Sequence, residues 1–218
     1  MMGKPFWCYL IVILLMGCQQ KNIRPNTIND LSKLKEEFLK EVFSNNIEEA
    51  PFDFNYSLRT ILFSKNVISL FAELTVHDRL PHGKKQYEGK TFYKTADHWK
   101  ELQLSELFHT QDQKETLRKV CENGLKNNSL SYFSGDPPLR TTLTYDDIDT
   151  FVMDSHYLIV IFQPYSVGGC VDTPFTIKIP LTSIQGYRKR IHPISSLLAE
   201  ILASGLYISC WNSEYEPS

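Results

Sequence analysis

The chain has 218 residues, of which 42% are hydrophobic, 12% aromatic and 22% charged, and its formal net charge is −2. This balance excludes a disordered chain, a collagen-like chain and a strongly basic nucleic-acid-binding protein. At roughly 100–200 residues per domain, the length predicts one domain that can bury a hydrophobic core. We therefore expect a single domain and no nucleic-acid partner.

The N-terminus has the pattern of a signal peptide. An uninterrupted apolar run, Phe6–Met16, follows a short segment that carries one positive side chain, Lys4. A membrane-spanning helix needs about 20 apolar residues, and this run is much shorter. The pattern therefore predicts that residues 1–17 are a signal peptide rather than a membrane-spanning helix.

The end of this run resembles the lipobox of bacterial lipoproteins. In Leu15–Cys18, a branched apolar residue stands three positions before a cysteine and a small residue stands directly before it. The resemblance implies cleavage before Cys18, a diacylglyceryl thioether on its sulfur and an acyl chain of the palmitate type on its new amino group. Each buried CH₂ contributes about 0.8 kcal/mol, so two or three chains anchor a protein durably.

This pattern predicts where the protein is located. We expect a lipid-anchored protein of the cell envelope, with its domain outside the cytoplasm. Gln19 fits sorting to the outer membrane where the organism has one. An ordinary secretory peptide and an uncleaved N-terminal anchor are the alternatives, and both would still export the domain.

A tether and a helix follow the cysteine. Residues 18–29 are polar, contain one proline and lack periodicity, which predicts a tether. From Asp30, apolar residues recur at three- and four-residue spacing and predict an amphipathic helix of about fourteen residues that packs on the domain. We therefore place the domain at residues 30–218.

The first half of the domain has the pattern of antiparallel strands. Phe54–Phe63 and Val67–Val76 are rich in aromatic and β-branched residues and are separated by Ser64–Asn66, which predicts a hairpin. The proline, glycine and lysine residues of Leu80–Gly89 predict a loop. Lys90–Lys94 predicts a further strand.

The second half mixes helices and strands without a regular β-α-β alternation. We therefore predict an α+β domain in which helices flank a mainly antiparallel sheet. The predicted elements are a helix at Asp112–Lys126, an irregular connection at Ser129–Asp149, strands at Phe151–Met153, Leu158–Phe162 and Phe175–Ile179, a glycine-containing loop at Pro164–Pro174, and helical segments at Leu181–Gln185 and Ile194–Leu202.

Patterns typical of enzymes and metal sites are weak. The histidines are scattered without a second ligand at short spacing, and no phosphate-binding, dinucleotide-binding or Gly-x-Ser-x-Gly motif occurs. The less favoured alternative is a thiol hydrolase in which Cys170 is the nucleophile, His156 or His192 the base and Asp172 the orienting group. We expect no metal, no cofactor and no enzymatic activity.

The cysteines allow at most one internal disulfide bond. Cys8 leaves with the signal peptide and Cys18 carries lipid, so Cys121, Cys170 and Cys210 remain. Cys170 and Cys210 are reasonable candidates for a pair because both lie in polar or glycine-rich surroundings. The sequence does not decide the pairing.

Landmarks in a fixed order carry a family resemblance. The first landmark is a loop with Pro81-His82-Gly83. It is followed by the pattern Leu-x-Leu-x-x-Leu-Phe at Leu102–Phe108 and by a helix. The last landmarks are Leu158–Tyr165, a glycine loop and Phe175–Leu181. The order resembles the domain of uncharacterised function in RsiV-type lysozyme-sensing anti-sigma factor ectodomains and in some peptidoglycan deacetylases. The similarity covers about residues 55–187. It implies that the ligand is a lysozyme-like protein or peptidoglycan.

Two loops, Pro81–Tyr87 and Gln163–Cys170, are the predicted recognition sites. Loops on a rigid sheet concentrate recognition, and an exposed tyrosine is a common hot spot. Tyr165 could alternatively pack against the edge of the sheet. The protein could also be a structural envelope lipoprotein that binds a partner protein. The candidate ligand-binding residues are His82, Gly83, Gln163, Pro164, Tyr165, Gly168 and Gly169.

Overall fold

Along the described chain, a long helix is followed by four strands, then by two helices and a 3-10 turn, and then by three strands with two short helices. The computed structural model describes residues 25–46, 53–77, 84–148, 150–169 and 173–184. All strand pairs in these residues are antiparallel, which confirms the predicted α+β class. The elements are α1 (Pro25–Asn46), β1 (Asp53–Phe63), β2 (Val67–His77), β3 (Lys84–Lys94), β4 (Trp99–Glu101), α2 (Leu104–Leu107), α3 (Gln111–Lys126), a 3-10 turn (Tyr145–Asp147), β5 (Thr150–Met153), β6 (Tyr157–Phe162), α4 (Pro164–Val167), β7 (Phe175–Pro180) and α5 (Leu181–Ile184).

The first four strands form one sheet in the order β1-β2-β3-β4. The hairpin between β1 and β2 turns at the predicted place. The Ser64 N–H donates to the Val67 carbonyl at 2.8 Å, and the Ser64 hydroxyl oxygen accepts from the Val67 N–H at 2.9 Å. From this turn the two strands pair antiparallel to Asp53 opposite His77, with one register shift between Thr60 and Leu62.

Helix α1 covers one face of this sheet. It begins at Pro25, five residues before the predicted start at Asp30, and so includes the end of the predicted tether. Proline is favourable in the first turn of a helix because its missing N–H has no partner there. The helix and the sheet share one apolar cluster, formed by Leu34, Phe38, Val42, Phe63, Ile68, Leu70, Ala72 and Leu74.

The last three strands form a second sheet in the order β5-β6-β7. Successive residues of a strand point to opposite faces, so β6 serves two clusters. Ile159 and Ile161 pack with Phe71 and Tyr87 of the first sheet. The other face shares a cluster with α3, formed by Leu117, Cys121, Leu125, Leu158, Val160 and Phe162, among others. The layers are therefore α1, the four-stranded sheet, the three-stranded sheet and α3.

Two predicted loops contain regular structure instead. Lys84–Gly89 belongs to β3, because pairing with the long strand β2 outweighs the weak strand preference of lysine, glutamine and glycine. Pro164–Val167 is the short helix α4, with proline at its start. The predicted helix at Ile194–Leu202 and the predicted signal peptide lie outside the described residues. No helix of the described ranges is long and apolar enough to cross a membrane.

Candidate functional site

Gln163 fixes the point at which α4 leaves strand β6. Its side-chain carbonyl accepts a hydrogen bond from the Tyr87 N–H at 3.1 Å, and its side-chain NH₂ donates to the Tyr87 carbonyl at 2.6 Å. Strand β4 pairs only with Phe92–Lys94 of β3, so the amide takes the place of a strand beside Tyr87. The start of α4 is thereby tied to the four-stranded sheet.

The irregular segment 128–142 lies against the other end of α4. The Tyr132 N–H and the Ser131 hydroxyl both donate to the Val167 carbonyl, at 2.8 and 3.0 Å. The Gly169 N–H donates to the Leu130 carbonyl at 3.4 Å. Because backbone groups on both sides are paired, segment 128–142 and α4 form one hydrogen-bonded unit.

Arg140 joins this unit to the 3-10 turn. Its guanidinium donates to the Ser166 carbonyl at 2.9 Å and to the Asp147 carboxylate at 2.7 Å, and it lies 5.4 Å from the centre of the Phe133 ring. Burial raises the pKa of the Asp147 carboxyl, but hydrogen bonds from Arg140 and Thr144 outweigh burial and hold that pKa below its ordinary value. The ion pair is therefore charged at neutral pH.

Three exposed apolar side chains lie on this unit. Leu139 is 84% exposed, Leu130 60% and Tyr165 51%. We call these three residues the apolar platform. Complete burial of an apolar side chain of this size contributes roughly 1.5–3 kcal/mol, and each of the three retains part of that gain for contact with a partner. Hydrogen bonds between the Gly169 N–H and the Leu130 carbonyl, and between Arg140 and the Ser166 carbonyl, bring the segments that carry these side chains side by side.

The predicted ligand-binding residues have different positions. Tyr165 is exposed, as predicted, whereas Pro164 is buried and Gln163 half-buried. Gly168 is also buried, and a Cβ there would overlap the Phe175 ring. Gly169 is partly exposed, with nothing within 4 Å of an added Cβ. The local structure therefore uses Gln163, Pro164 and Gly168 to position Tyr165.

The second predicted recognition loop differs from its prediction. His82 and Gly83 lie outside the described residues. Tyr87, the last residue of that predicted loop, lies in strand β3. It is 1% exposed and stacks on Phe71 of β2. Among its described residues, the second predicted loop therefore contributes to the candidate site only the buried Tyr87, through its backbone hydrogen bonds with Gln163.

Leu130 and Leu139 were not predicted as site residues. Each is a lone leucine between residues that favour turns, in Ser-Leu-Ser and Pro-Leu-Arg. Leu143 of the same irregular connection fits no periodicity either and is fully buried, so no sequence signal marks Leu130 and Leu139 as exposed. What the sequence could not provide is the contact of their segment with α4.

Most groups of the thiol alternative lie outside the described residues, and Cys121 is not one of its groups. Cys121 is free and buried, and burial raises the pKa of its thiol to about 12. The Nδ1 atom of His156 lies 2.8 Å from the Ser155 hydroxyl. The other groups of this alternative, Cys170, Asp172 and His192, lie outside the described residues, as do Cys18 and Cys210. Among the described side chains, no group of three or more potential ligands could hold a metal ion.

Comparison with known proteins gives structural neighbours. No family model matches the chain, and no curated protein matches it. A DUF3298 family member from Bacteroides fragilis is 17% identical, with a TM-score of 0.46, over 74% of this chain and 68% of that one. A DUF3298 family protein from Pseudomonas aeruginosa is 13% identical, with a TM-score of 0.48, over 68% and 66%. These structural neighbours are proteins of an uncharacterised-domain family.

Proposed function

We propose that this chain is a lipid-anchored protein of the cell envelope whose apolar platform binds a lysozyme-like protein. The observation that carries the proposal is the exposure of Leu130, Leu139 and Tyr165 on segments clamped by Arg140. The envelope location rests on the signal peptide and on lipid attachment at Cys18. The ligand class rests on the resemblance to lysozyme-sensing ectodomains.

The platform supplies part of the binding free energy. Leu139, Leu130 and Tyr165 are 84%, 60% and 51% exposed, so burying their remaining surface contributes on the order of 3–6 kcal/mol, at roughly 1.5–3 kcal/mol for a full side chain. A Kd of about 1 μM requires about −8 kcal/mol, and association costs about 4 kcal/mol or more. The apolar platform alone therefore falls short of micromolar affinity, and a second attraction has to contribute.

Charge is the second attraction. The chain has a net charge of −2, and exposed Asp136 and Asp146 lie in or next to the segment that carries Leu139. Lysozyme is strongly basic, so opposite charges would steer the two proteins together. Because exposed charges are screened beyond about 8 Å at physiological salt, this attraction weakens as salt is added.

Calorimetric titration of the detergent-solubilised full chain with lysozyme at two salt concentrations tests the proposal. We expect micromolar binding that weakens at high salt. Tyr165→Ala and Leu139→Ser should each weaken binding roughly 30-fold, because a hot-spot residue contributes about 2 kcal/mol. Tyr157→Ala is the matched control, since Tyr157 is an exposed tyrosine at the opposite end of β6.

The outcomes test separately which ligand binds and which surface binds it. An absence of binding at both salt concentrations would exclude a lysozyme-like ligand. Equal losses in Tyr165→Ala and Tyr157→Ala would exclude the apolar platform as the binding surface. The alternative, a structural protein that holds peptidoglycan or a partner protein, predicts sedimentation with purified sacculi and no effect on lysozyme turnover.

Lipid attachment has its own test. Cys18→Ser should move the chain from the membrane fraction to the soluble fraction, because the acyl chains supply the membrane affinity. Mass spectrometry of the N-terminal peptide should find the acyl chains on Cys18 in the parent chain. An unmodified Cys18 would contradict the lipoprotein assignment and leave the binding result unaffected.

A further inference from the structure

Three segments meet at one end of the four-stranded sheet. The Lys94 N–H donates to the Asn66 carbonyl at 2.8 Å, which joins the β3–β4 turn to the β1–β2 turn. The Asp30 carboxylate of α1 accepts from Trp99 Nε1 at 3.0 Å and from Lys94 Nζ at 3.1 Å. We call this end, with Ile28, Asp30, Asn66, Lys94 and Trp99, the α1 pole.

The reach of the N-terminal segment limits how far this pole can lie from a lipid anchor. Seven Cα–Cα steps separate Cys18 from Pro25, where α1 begins, and they span at most about 25 Å. The eleven-residue strands of the sheet are roughly 33 Å long. An anchored chain therefore cannot turn the α1 pole away from the bilayer and place the far end of the sheet against it.

The chemistry of the pole suits the surface of a bilayer. Ile28, in the first turn of α1, is 51% exposed, and the half-buried Trp99 lies at the same pole, where its Nε1 donates to Asp30, two residues after Ile28. Lys65 is exposed on the β1–β2 turn of the same pole. Apolar side chains, a tryptophan and a lysine are the groups that settle at the boundary between headgroups and acyl chains.

We propose that the α1 pole rests on the lipid bilayer, with Ile28 and Trp99 at the headgroup boundary and Lys65 facing lipid phosphates. This inference rests on the proposed lipid attachment at Cys18. Tyr87, to which Gln163 ties α4, lies seven residues along β3 from Lys94, or about 23 Å. The apolar platform is therefore attached to the part of the sheet that is farther from the membrane.

Tryptophan fluorescence tests this orientation in the full lipidated chain. Removal of the signal peptide takes away Trp7, so Trp211→Phe leaves Trp99 as the single tryptophan. The chain is reconstituted in vesicles of phosphatidylethanolamine and phosphatidylglycerol that contain acyl-brominated lipid. Trp99 should lose roughly half of its emission, because interfacial side chains reach the boundary of the acyl chains.

A second reporter marks the far side of the domain. This second reporter combines Tyr165→Trp with Trp99→Phe and Trp211→Phe, so its single tryptophan is at position 165. Brominated lipid should leave the emission of this tryptophan unchanged. Ile28→Asp in the Trp99 reporter should reduce the quenching. An acidic residue in the first turn stabilises a helix, so Ile28→Asp should leave the thermal unfolding temperature unchanged. A loss of quenching would then report lost membrane contact rather than unfolding.

Each result decides a different point. Equal quenching at positions 99 and 165, or quenching only at 165, would overturn the orientation. Absence of quenching in a chain that still floats with the vesicles would overturn the membrane contact and leave the lipid anchor intact. A chain that does not associate with vesicles at all would remove the lipid attachment and this inference with it, whereas lysozyme binding would stand on its own titration.

Discussion

Removing the Gln163 side chain should destabilise the fold by an amount that the structure allows us to estimate. In Gln163→Ala, the backbone N–H and carbonyl of Tyr87 both lose the amide that binds them. A buried polar group left without a partner costs about 1–3 kcal/mol. Because Gln163 is only half-buried and water can partly replace it, we expect a loss near the lower end for each group, about 2–3 kcal/mol in total.

Gln163→Glu separates the hydrogen bonds from simple packing. A neutral carboxylic acid can still donate to the Tyr87 carbonyl, but a carboxylate cannot, and it would lie against that carbonyl oxygen. The folded state therefore raises the pKa of the new carboxyl above the unfolded value of about 4.3. Since the folded state then binds the proton more tightly than the unfolded state, stability should rise as the pH falls toward 4.

Urea unfolding of the full chain, followed by far-UV circular dichroism between pH 4 and pH 7, measures both effects. The Gln163→Ala variant provides the control, because it lacks a titrating group at this position and should show no such extra gain at low pH. A loss below about 0.5 kcal/mol in Gln163→Ala, a typical surface value, would refute the reasoning. An equal pH response in the two variants would also refute it.

Three further predictions concern neighbouring parts of the structure. Cys121 should resist thiol reagents in the native chain and react on unfolding, measured by absorbance with an aromatic disulfide, because burial raises its pKa to about 12. Gly168→Ala should lower stability in urea by about 1–3 kcal/mol through overlap with the neighbouring ring, whereas Gly169→Ala should change it by less than about 0.5 kcal/mol. Asp147→Asn should destabilise the chain at neutral pH. The difference in unfolding free energy between the parent chain and Asp147→Asn should shrink as the pH falls below 3.8, the ordinary pKa of an aspartate, because the folded state holds the pKa of Asp147 low. Urea unfolding curves of both chains at each pH measure this difference, and a difference that stays constant would contradict the prediction.

The sequence predicts the elements whose preferences are local. The β1–β2 hairpin and helix α3 carry clear periodicity and turn residues, and both occur within a residue or two of their predicted bounds. The first half of β3 lacks such a local pattern, because its strand conformation comes from pairing with β2, for example Gln86 opposite Leu74. A local pattern contains no information on that distant partner.

The candidate site was partly predictable for the same reason. The sequence predicts Tyr165 to be an exposed aromatic residue near glycines, and it is exposed. Leu130 and Leu139 join it only because Val167 accepts hydrogen bonds from a segment about 35 residues earlier in the chain. Gln163 has a polar side chain typical of a ligand contact, but its hydrogen bonds to Tyr87 reach 76 residues back.

Strand β3 connects the two proposed surfaces. Its Lys94 end binds Asp30 of the α1 pole, and Tyr87 binds the residue that begins the platform unit. Between them lies Gly89, where an added Cβ would come within 2.7 Å of a Val152 methyl group and 2.9 Å of a backbone carbonyl of β5. A side chain at this position would push the second sheet, and α4 with it, away from the first. The absence of a side chain at Gly89 therefore lets the second sheet pack closely on β3, the strand that joins the α1 pole to the unit carrying the apolar platform.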